Sequence, residues 1–352
     1  MLNLLLLPAL LAGIISFLFT PVVIKLGNYL GIIDDPKLSS HPKVIHTYPV
    51  ARGGGIPILA GVVFASLAFL PLDKHLAGIL LGALGVALVG FLDDKYNLSP
   101  YLRIILGFLA ASIPILAGVG IAFISNPLGG TLDLSYPQIA INFLGQAHTI
   151  WLVSDLFALF WIVFMMNMLN MGAKGVDGQL PGVVAIAAAT IAVLTLKFSG
   201  DITQWPVIIL AGAVGGAYLG FLPWNFYPQK IMPGYGGSTL AGYFLAVASI
   251  LSTTKVGTLL VVLGVPLIDT GYVIITRLLS GKSPVWGDTG HLHHRLLAKG
   301  LSKKQVAIFY WIFTGVLGLL ALSLNTTFKF YTMVGTAFGV GGLILWLTYR
   351  SR

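Results

Sequence analysis

The sequence contains no cysteine and no glutamate, and only 9% of its 352 residues are charged. Without cysteine the chain cannot form disulfides or thiolate metal sites. Without glutamate it cannot carry the glutamate-dependent motif of the zinc hydrolases. Soluble domains have about 25% charged residues, so this scarcity also excludes an ordinary soluble domain.

Apolar residues make up 57% of the chain, in runs of roughly 20 residues that are long enough to cross a ~30 Å hydrocarbon layer as helices. The alternating pattern of a membrane β-barrel is absent, so we predict an all-α, polytopic membrane protein with ten or eleven spans. Residues 1–352 are expected to form a single domain. The eleven predicted segments are residues 2–26, 53–72, 76–92, 102–124, 150–169, 180–198, 205–222, 239–253, 256–276, 306–324 and 328–349.

The lysines and arginines predict the orientation of these spans. If the N-terminus lies outside, most of the 20 basic residues fall on the cytoplasmic side, as the positive-inside rule requires. The net charge of +9 then reflects topology and affinity for anionic lipid or substrate, not nucleic acid. The outer loop 125–149 alternates well enough to form a small β-hairpin. The cytoplasmic loops that carry the candidate chemistry are residues 28–52, 91–101, 167–182, 223–238 and 281–304.

Two adjacent carboxylates, Asp93 and Asp94, follow the third segment. Such a pair repels itself unless a cation or a shared proton intervenes. Beside a phosphate substrate, hard oxygen ligands of this kind suit Mg²⁺. The alternative is a solvated loop end.

The connection after the fifth segment combines amide, carboxylate and ammonium groups with glycines. Asn167, Asn170, Lys174 and Asp177 offer donors and acceptors for a sugar or a base, or ligands for a metal. The glycines permit close approach of the backbone to a ligand. The alternative is a helix C-terminus followed by a tight turn.

Two further loops combine basic side chains with glycine-rich turns. His46 and Arg52 precede the triple glycine 53–55, and Lys230 precedes the glycine-rich turn 234–237. Both arrangements suit an anion such as phosphate. The alternative for the first loop, which also holds His41 and Lys43, is the ordinary positive-inside signal.

Three of the seven histidines, His291, His293 and His294, fall within four positions. On a helix over 291–299, capped by Asp288 or Thr289, His291, His294 and Arg295 share a face and His293 points nearly opposite. This geometry disfavours capture of one Zn²⁺ by all three histidines. A basic face for a diphosphate fits better, and a solvated basic loop is the alternative.

Over residues 34–305, these loops together resemble the polyprenyl-phosphate N-acetylhexosamine-1-phosphate transferases. The form His-Leu-His-His-Arg-Leu is similar to the branch that transfers GlcNAc-1-phosphate from its UDP-sugar, more than to the phospho-MurNAc-pentapeptide branch. The motifs that carry the resemblance are Asp-Pro-x-x-x-x-His-Pro-Lys-x-x-His from Asp35, Gly-Phe-Leu-Asp-Asp from Gly90 with Leu-Ser-Pro from Leu98, Asn167 and Asn170 through Asp177-Gly178, Val-Pro-Leu-Ile-Asp from Val265 through Arg277, and the six residues from His291.

The resemblance implies a transferase of substituted phosphate groups at the cytoplasmic membrane face. Undecaprenyl phosphate or another polyprenyl phosphate attacks a UDP-aminosugar with Mg²⁺, or Mn²⁺ in its place, and a homodimer is expected. Asp93 and Asp94 would orient or deprotonate the lipid phosphate, as the catalytic pair. Asn170 and Asp177 would be the metal ligands. The implied substrate-binding residues are His46, Arg52, Asn167, Lys174, Asp177, His291, His293, His294 and Arg295.

The chain departs from this family pattern at two places. Tyr235 stands where the family has the aspartate of Gly-Asp-x-Gly-Ser, a metal ligand, and Lys174 stands near the first aspartate of the asparagine motif. Three alternatives follow: metal ligation has moved to other aspartates, Lys174 partly replaces the metal, or the transfer activity is lost. The last would leave a protein that only binds polyprenyl phosphate or nucleotide-sugar.

Overall fold

The computed structural model describes residues 1–37, 46–143, 146–252, 255–284 and 290–349. Within these ranges the chain is mostly helical, and its strands are short. The helices are α1 (Asn3–Tyr29), α2 (Gly55–Phe69), α3 (Lys74–Tyr96), α4 (Pro100–Leu116), α5 (Leu152–Gly172), α6 (Gln179–Leu196), α7 (Trp205–Asn225), α8 (Gly234–Leu251), α9 (Lys255–Val262), α10 (Gly264–Leu279), α11 (Leu292–Ala298), α12 (Lys303–Ser323) and α13 (Thr326–Tyr349).

Each predicted apolar segment contains a helix. Eight helices of the described chain are long and apolar enough to cross a membrane, and α2 and α4 are shorter apolar helices. The ninth predicted segment is broken, because α9 and α10 meet at an angle of 82°. Pro266 has no N–H to donate to the carbonyl of Val262, which explains a break at this point of an apolar run. The all-α, polytopic membrane fold is therefore confirmed.

Side-chain caps explain where several helices begin. Asp73 accepts a hydrogen bond from the Leu76 N–H at 2.8 Å and starts α3. Ser99 caps α4, whose first residue is a proline that needs no N–H partner there. Ser302 and Gln305 form a reciprocal capping box at the start of α12. The starts of α3, α4 and α12 are thus encoded locally.

Helix α8 lies at the centre of the bundle, packed against α3, α5 and α9. In the apolar stretch of α8, 94% of the residues are buried, against 17% in that of α13 at the periphery. Glycines let α1 approach α7: a Cβ at Gly216 would lie 2.0 Å from the Ala9 carbonyl oxygen, and one at Gly220 equally close to that of Gly13. Small residues spaced four apart are a typical way of packing helices closely in membranes.

The strands form three antiparallel pairs. Strands β1 (Ile33–Asp34) and β2 (Val50–Ala51) tie the ends of the loop between α1 and α2. The predicted hairpin of the outer loop is present as β5 (Gln138–Phe143) and β6 (Gln146–Trp151), and it is preceded by β3 (Phe123–Ser125) and β4 (Thr131–Asp133).

Candidate active site

The five loops singled out from the sequence meet at one end of the bundle. Loop 223–238 makes a polar contact with each of three others: Met232 N–H to Ala51 O (2.8 Å), Tyr235 N–H to Asp94 Oδ1 (3.1 Å) and Lys174 Nζ to Gly234 O (3.2 Å). The fifth loop reaches the same end through Lys303, whose Nζ lies 3.5 Å from Asp177 Oδ1.

The glycine-rich segments of two loops pack on each other at this end. A Cβ at Gly55 would lie 2.7 Å from the Gly237 nitrogen, and a Cβ at Gly90 would lie 2.1 Å from Gly236 Cα. These glycines are needed because α2, α3 and α8 approach each other backbone to backbone. These glycines therefore permit close helix packing, and the anion cradle stays a prediction.

Asp94 is buried where α3 meets the first turn of α8. One carboxylate oxygen accepts the Tyr235 N–H, and the other lies against Gly234, where a Cβ would be only 2.0 Å away. Gly234 also has a φ of +67°, which glycine adopts without strain. The N-terminus of α8 carries a partial positive charge and favours a carboxylate at this position.

Asp93 is also buried, but it faces a different partner. Both of its carboxylate oxygens lie 3.3 Å from Nη1 of Arg103 on α4. The Arg103 guanidinium stacks over the Tyr235 ring, with 5.0 Å between its central carbon and the ring centroid. No sequence motif points to Arg103, because its pairing with Asp93 depends on how α4 packs against α3.

Lys174 is held between two elements. Its ammonium donates to Asn170 Oδ1 at 2.8 Å and to the Gly234 carbonyl at 3.2 Å. Asn170 Oδ1 also accepts the Ser238 hydroxyl at 2.7 Å. This hydroxyl has one proton, for which the carbonyls of Gly234 and Tyr235 are also acceptors within 3.0 Å, so Lys174 is the firm partner of the Asn170 oxygen. Asn167, by contrast, donates its amide to the Val163 carbonyl of its own helix at 2.8 Å.

Asp177 lies among cations and aromatic rings. Its carboxylate is buried and accepts no hydrogen bond from the residues that the structure describes, although Lys303 lies 3.5 Å away. Burial, and after it the charge of Asp177, raises the pKa of the nearby Tyr48 phenol. Lys303 and Lys304 stack over the Tyr227 ring at 5.5 and 5.7 Å.

Two buried amides that sequence reasoning missed shape the loop around Asp177. Gln179 accepts the N–H groups of Gly175 and Val176 at 3.0 and 3.1 Å. Asn225 accepts the Gly178 N–H at 3.0 Å and donates to the Ile231 carbonyl. Buried amides that bond to backbone groups hold a loop in one conformation. The only available sequence signal was a glutamine directly after Asp177-Gly178.

The histidine segment differs from the predicted geometry. Helix α11 begins at Leu292, after His291, and its N-cap is His291, not Asp288 or Thr289, which lie outside the described residues. The rings of His291 and His293 stack at 5.5 Å, and those of His293 and His294 lie 4.3 Å apart. The prediction that His293 points away from the other two is therefore wrong, because the shorter helix leaves His291 on extended backbone.

Asp269 explains where α11 starts. From inside α10 its two carboxylate oxygens bond His291 Nδ1 at 2.9 Å and the Leu292 N–H at 2.7 Å. His293 is buried, and a Cβ at Gly175 would touch its ring at 2.2 Å. Burial, and then the neighbouring His294 and His291, lowers the pKa of His293 well below its usual value.

Two cations near the site already have partners. Arg295 is half-buried: it donates to the Gly290 carbonyl at 2.9 Å and bonds the Thr348 hydroxyl. Arg52 pairs with Asp34 at 2.7 Å, and His46 Nε2 lies 3.2 Å from the Asp34 carbonyl oxygen. His41 and Lys43, from the same loop, lie outside the described residues.

These side chains do not form a divalent-metal site as they stand. Among the described residues, no three histidines, cysteines, aspartates or glutamates are grouped so that they could hold a metal ion. Asn170 already binds Lys174 and Ser238, and Asp93 already binds Arg103. Asn170, one of the two predicted metal ligands, therefore already has a cationic partner, whereas Asp177, the other, has both oxygens free of hydrogen bonds from the described residues.

Comparison with known proteins gives the family. Residues 76–253 match the model of glycosyl transferase family 4. The chain belongs to this family. A probable undecaprenyl-phosphate N-acetylglucosaminyl 1-phosphate transferase of Bacillus subtilis is 32% identical over 318 residues, covering 88% of this chain and 82% of the relative.

Two other relatives of this chain represent the two branches of the family that the sequence analysis compared. The decaprenyl-phosphate N-acetylglucosaminephosphotransferase of Mycobacterium leprae is 28% identical over 342 residues, covering 89% of this chain and 81% of the relative. A phospho-N-acetylmuramoyl-pentapeptide-transferase of Thermoanaerobacter is 31% identical over 306 residues, covering 84% and 90%. The family predicted from the sequence is confirmed, and the matches over more residues agree with the predicted N-acetylglucosamine branch.

Proposed function

We propose that this protein transfers N-acetylhexosamine-1-phosphate, specifically GlcNAc-1-phosphate, from its UDP-sugar to a polyprenyl phosphate. A phosphate oxygen of the lipid forms a bond to the β-phosphorus of the UDP-sugar. The bond from that phosphorus to the bridging oxygen breaks, and UMP leaves with the electron pair. The products are polyprenyl-diphosphate-sugar and UMP. Family membership and the activities of three relatives support this reaction.

The observation that carries the proposal is the buried pair Asp93 and Asp94 at the meeting point of the loops. Phosphoryl transfer depends mainly on positioning and on electrostatic stabilisation of charge at phosphoryl oxygens. Lys174 and Arg52 lie close enough for their charges to act on Asp94. A carboxylate beside fixed cations can accept a proton or hydrogen bond from the lipid phosphate while the cations attract its oxygens.

We assign the nucleotide-sugar to the Asp177 side of the site. Asp177 is buried with both oxygens free of hydrogen bonds from the described residues, which is unfavourable until a donor reaches it. Hydroxyl and N–H groups of a UDP-sugar are such donors. Lys303, 3.5 Å from Asp177, adds a cation for the diphosphate.

The remaining predicted substrate-binding residues keep proposed roles, and they form a buried group and a half-buried group. They are His46, Arg52, His291, His293, His294 and Arg295. His46, His291 and His293 are buried and position the loops, whereas Arg52, His294 and Arg295 are half-buried and accessible to a diphosphate. The protein is a multi-pass membrane protein. A cytoplasmic active-site face and a homodimer remain predictions.

Enzymes of this family are commonly metal dependent. Mg²⁺, or Mn²⁺, was expected here, but the donor atoms of Asn170 and Asp93 have other partners.

The deciding experiment incubates the purified full-length protein with undecaprenyl phosphate and a panel of UDP-sugars, with and without Mg²⁺, and follows UMP release. UDP-GlcNAc is expected to give UMP and a lipid-linked sugar. If no sugar yields UMP while the protein still binds polyprenyl phosphate, the chain is a binding protein and the transferase proposal is wrong.

A further inference from the structure

The charges around Asp93 and Asp94 suggest how this member of the family differs from metal-dependent ones. The two carboxylates carry two negative charges, and Arg103 and Lys174 carry two positive charges. Asp93 pairs with Arg103, and Asp94 and Lys174 meet at Gly234. The nearest further cation, Arg52, is paired with Asp34. This cluster is formally neutral without a divalent ion.

The Lys174 ammonium lies at the predicted metal ligand Asn170. A metal ligated by Asn170 Oδ1 would displace Lys174, which lies 2.8 Å from that oxygen, and the Ser238 hydroxyl at 2.7 Å. Displacing an ammonium from its partners in a buried site is costly. A divalent ion beside the displaced ammonium would also leave the cluster with excess positive charge.

Tyr235 is the second departure from the family pattern near these carboxylates. Its ring lies under the Arg103 guanidinium at 5.0 Å, and only its backbone N–H bonds Asp94. An aspartate at this position would add a negative charge and a possible metal ligand. The tyrosine adds neither, and its ring stabilises a cation through the ring face.

We propose that Lys174, supported by Arg103, replaces the divalent cation, so that the transfer proceeds without a bound metal. This inference rests on the proposed function. As the bond to the β-phosphorus forms and the bridging bond breaks, negative charge grows on the phosphoryl oxygens and on the departing UMP. The ammonium of Lys174 stabilises that charge in place of Mg²⁺.

The first test compares UMP release from UDP-GlcNAc and undecaprenyl phosphate in EDTA and in Mg²⁺. The wild-type rate is expected to be the same in both. Lys174→Met should lower the rate in EDTA by about 100-fold, with partial recovery when Mg²⁺ enters the vacated place. The matched control is Lys25→Met, an exposed lysine on α1, which should keep the wild-type rate.

Two results would overturn the proposal while leaving the transferase assignment intact. One is a wild-type rate that disappears in EDTA and returns with Mg²⁺. The other is a Lys174→Met protein of unchanged thermal stability that keeps the wild-type rate in EDTA.

A direct binding measurement separates this inference from the proposed function. Electron paramagnetic resonance of Mn²⁺ added to the purified protein is expected to show no protein-bound ion. One bound Mn²⁺ per chain that Asp94→Asn removes would refute the replacement of the metal ion by Lys174, even if no sugar yields UMP. Loss of UMP release under every condition would instead refute the transferase assignment. The Mn²⁺ spectrum would still decide whether Lys174 replaces the metal ion.

Discussion

Two buried aspartates, Asp94 and Asp269, occupy opposite kinds of environment. Asp269 is fully buried, and each of its oxygens has a partner, His291 Nδ1 or the Leu292 N–H. Asp94 has one hydrogen bond among the described residues, from the Tyr235 N–H, and its second oxygen lies against Gly234. Asp269 joins two helices, whereas Asp94 ends beside a cation.

The difference teaches how to separate a structural carboxylate from a reactive one. A carboxylate whose acceptor sites are filled by the protein stabilises a conformation and has little capacity left for a ligand. A carboxylate with a free oxygen next to Lys174 can still take a proton or a hydrogen bond from a phosphate. Substitution of each aspartate should therefore change a different measurable quantity.

The largest effect is expected for Asp94→Asn. The amide keeps an oxygen for the Tyr235 N–H, so the fold should persist, but the charge that handles the lipid phosphate is lost. UMP release should fall by at least about 100-fold, the usual scale for loss of a proton-transfer group. Asp133→Asn, at an exposed residue of β4, is the control. Activity of Asp94→Asn near the wild-type level would remove Asp94 from the mechanism.

Asp269→Asn should act chiefly on stability. Asparagine replaces one of the two acceptor oxygens by an NH2 donor, so when its oxygen keeps the Leu292 N–H, its NH2 faces a protonated His291 Nδ1 and a buried donor is left without a partner. The cost is about 1–3 kcal/mol, and a thermal-shift measurement should show a lower apparent Tm. The kcat for UMP release should fall less than in Asp94→Asn. Unchanged Tm with complete loss of turnover would mean that Asp269 belongs to the reactive class.

The sequence predicted the fold well because membrane helices are encoded locally by long apolar runs. It placed all the candidate loops that meet at the site. The break between α9 and α10 was missed, since the run from 256 to 276 is long and mostly apolar, and the effect of Pro266 on its hydrogen bonding was not considered.

The site was predicted less completely, because its partners come from distant helices. The pair Asp93 and Asp94 is visible in the sequence, but Arg103 and Ser238 reach it only through the packing of α4 and α8. The histidine geometry failed for the same reason: Asp269, 23 residues away, determines where α11 begins.

The histidine that packs beside this anchored segment, His293, should make stability depend on pH. Its pKa is lowered by burial, so below about pH 6.5 the unfolded chain binds a proton that the folded chain does not. Stability should therefore be lost as the pH falls below about 6.5, with a limiting slope of about 1.4 kcal/mol per pH unit for this group. Thermal-shift curves from pH 7.5 to 5 would measure it.

His293→Gln is the control for this pH dependence, because glutamine is polar and does not titrate. The variant should lose the part of the slope that belongs to His293, whatever its absolute stability. If wild type and variant lose stability in parallel over this pH range, His293 is not the group that titrates.

The smallest effect is expected for Tyr235→Phe, which isolates how α8 supports Asp94. The N–H that bonds Asp94 belongs to the backbone, and the ring under Arg103 is kept, so kcat/KM should stay within about twofold of wild type. Tyr235→Leu removes the ring face, worth about 0.5–1 kcal/mol, and should lower kcat/KM about two- to fivefold. A large loss of kcat/KM in Tyr235→Phe would instead mean that the hydroxyl contacts the substrate. Asp94, which α8 supports through the Tyr235 N–H, would then not be the principal reactive group at this helix end.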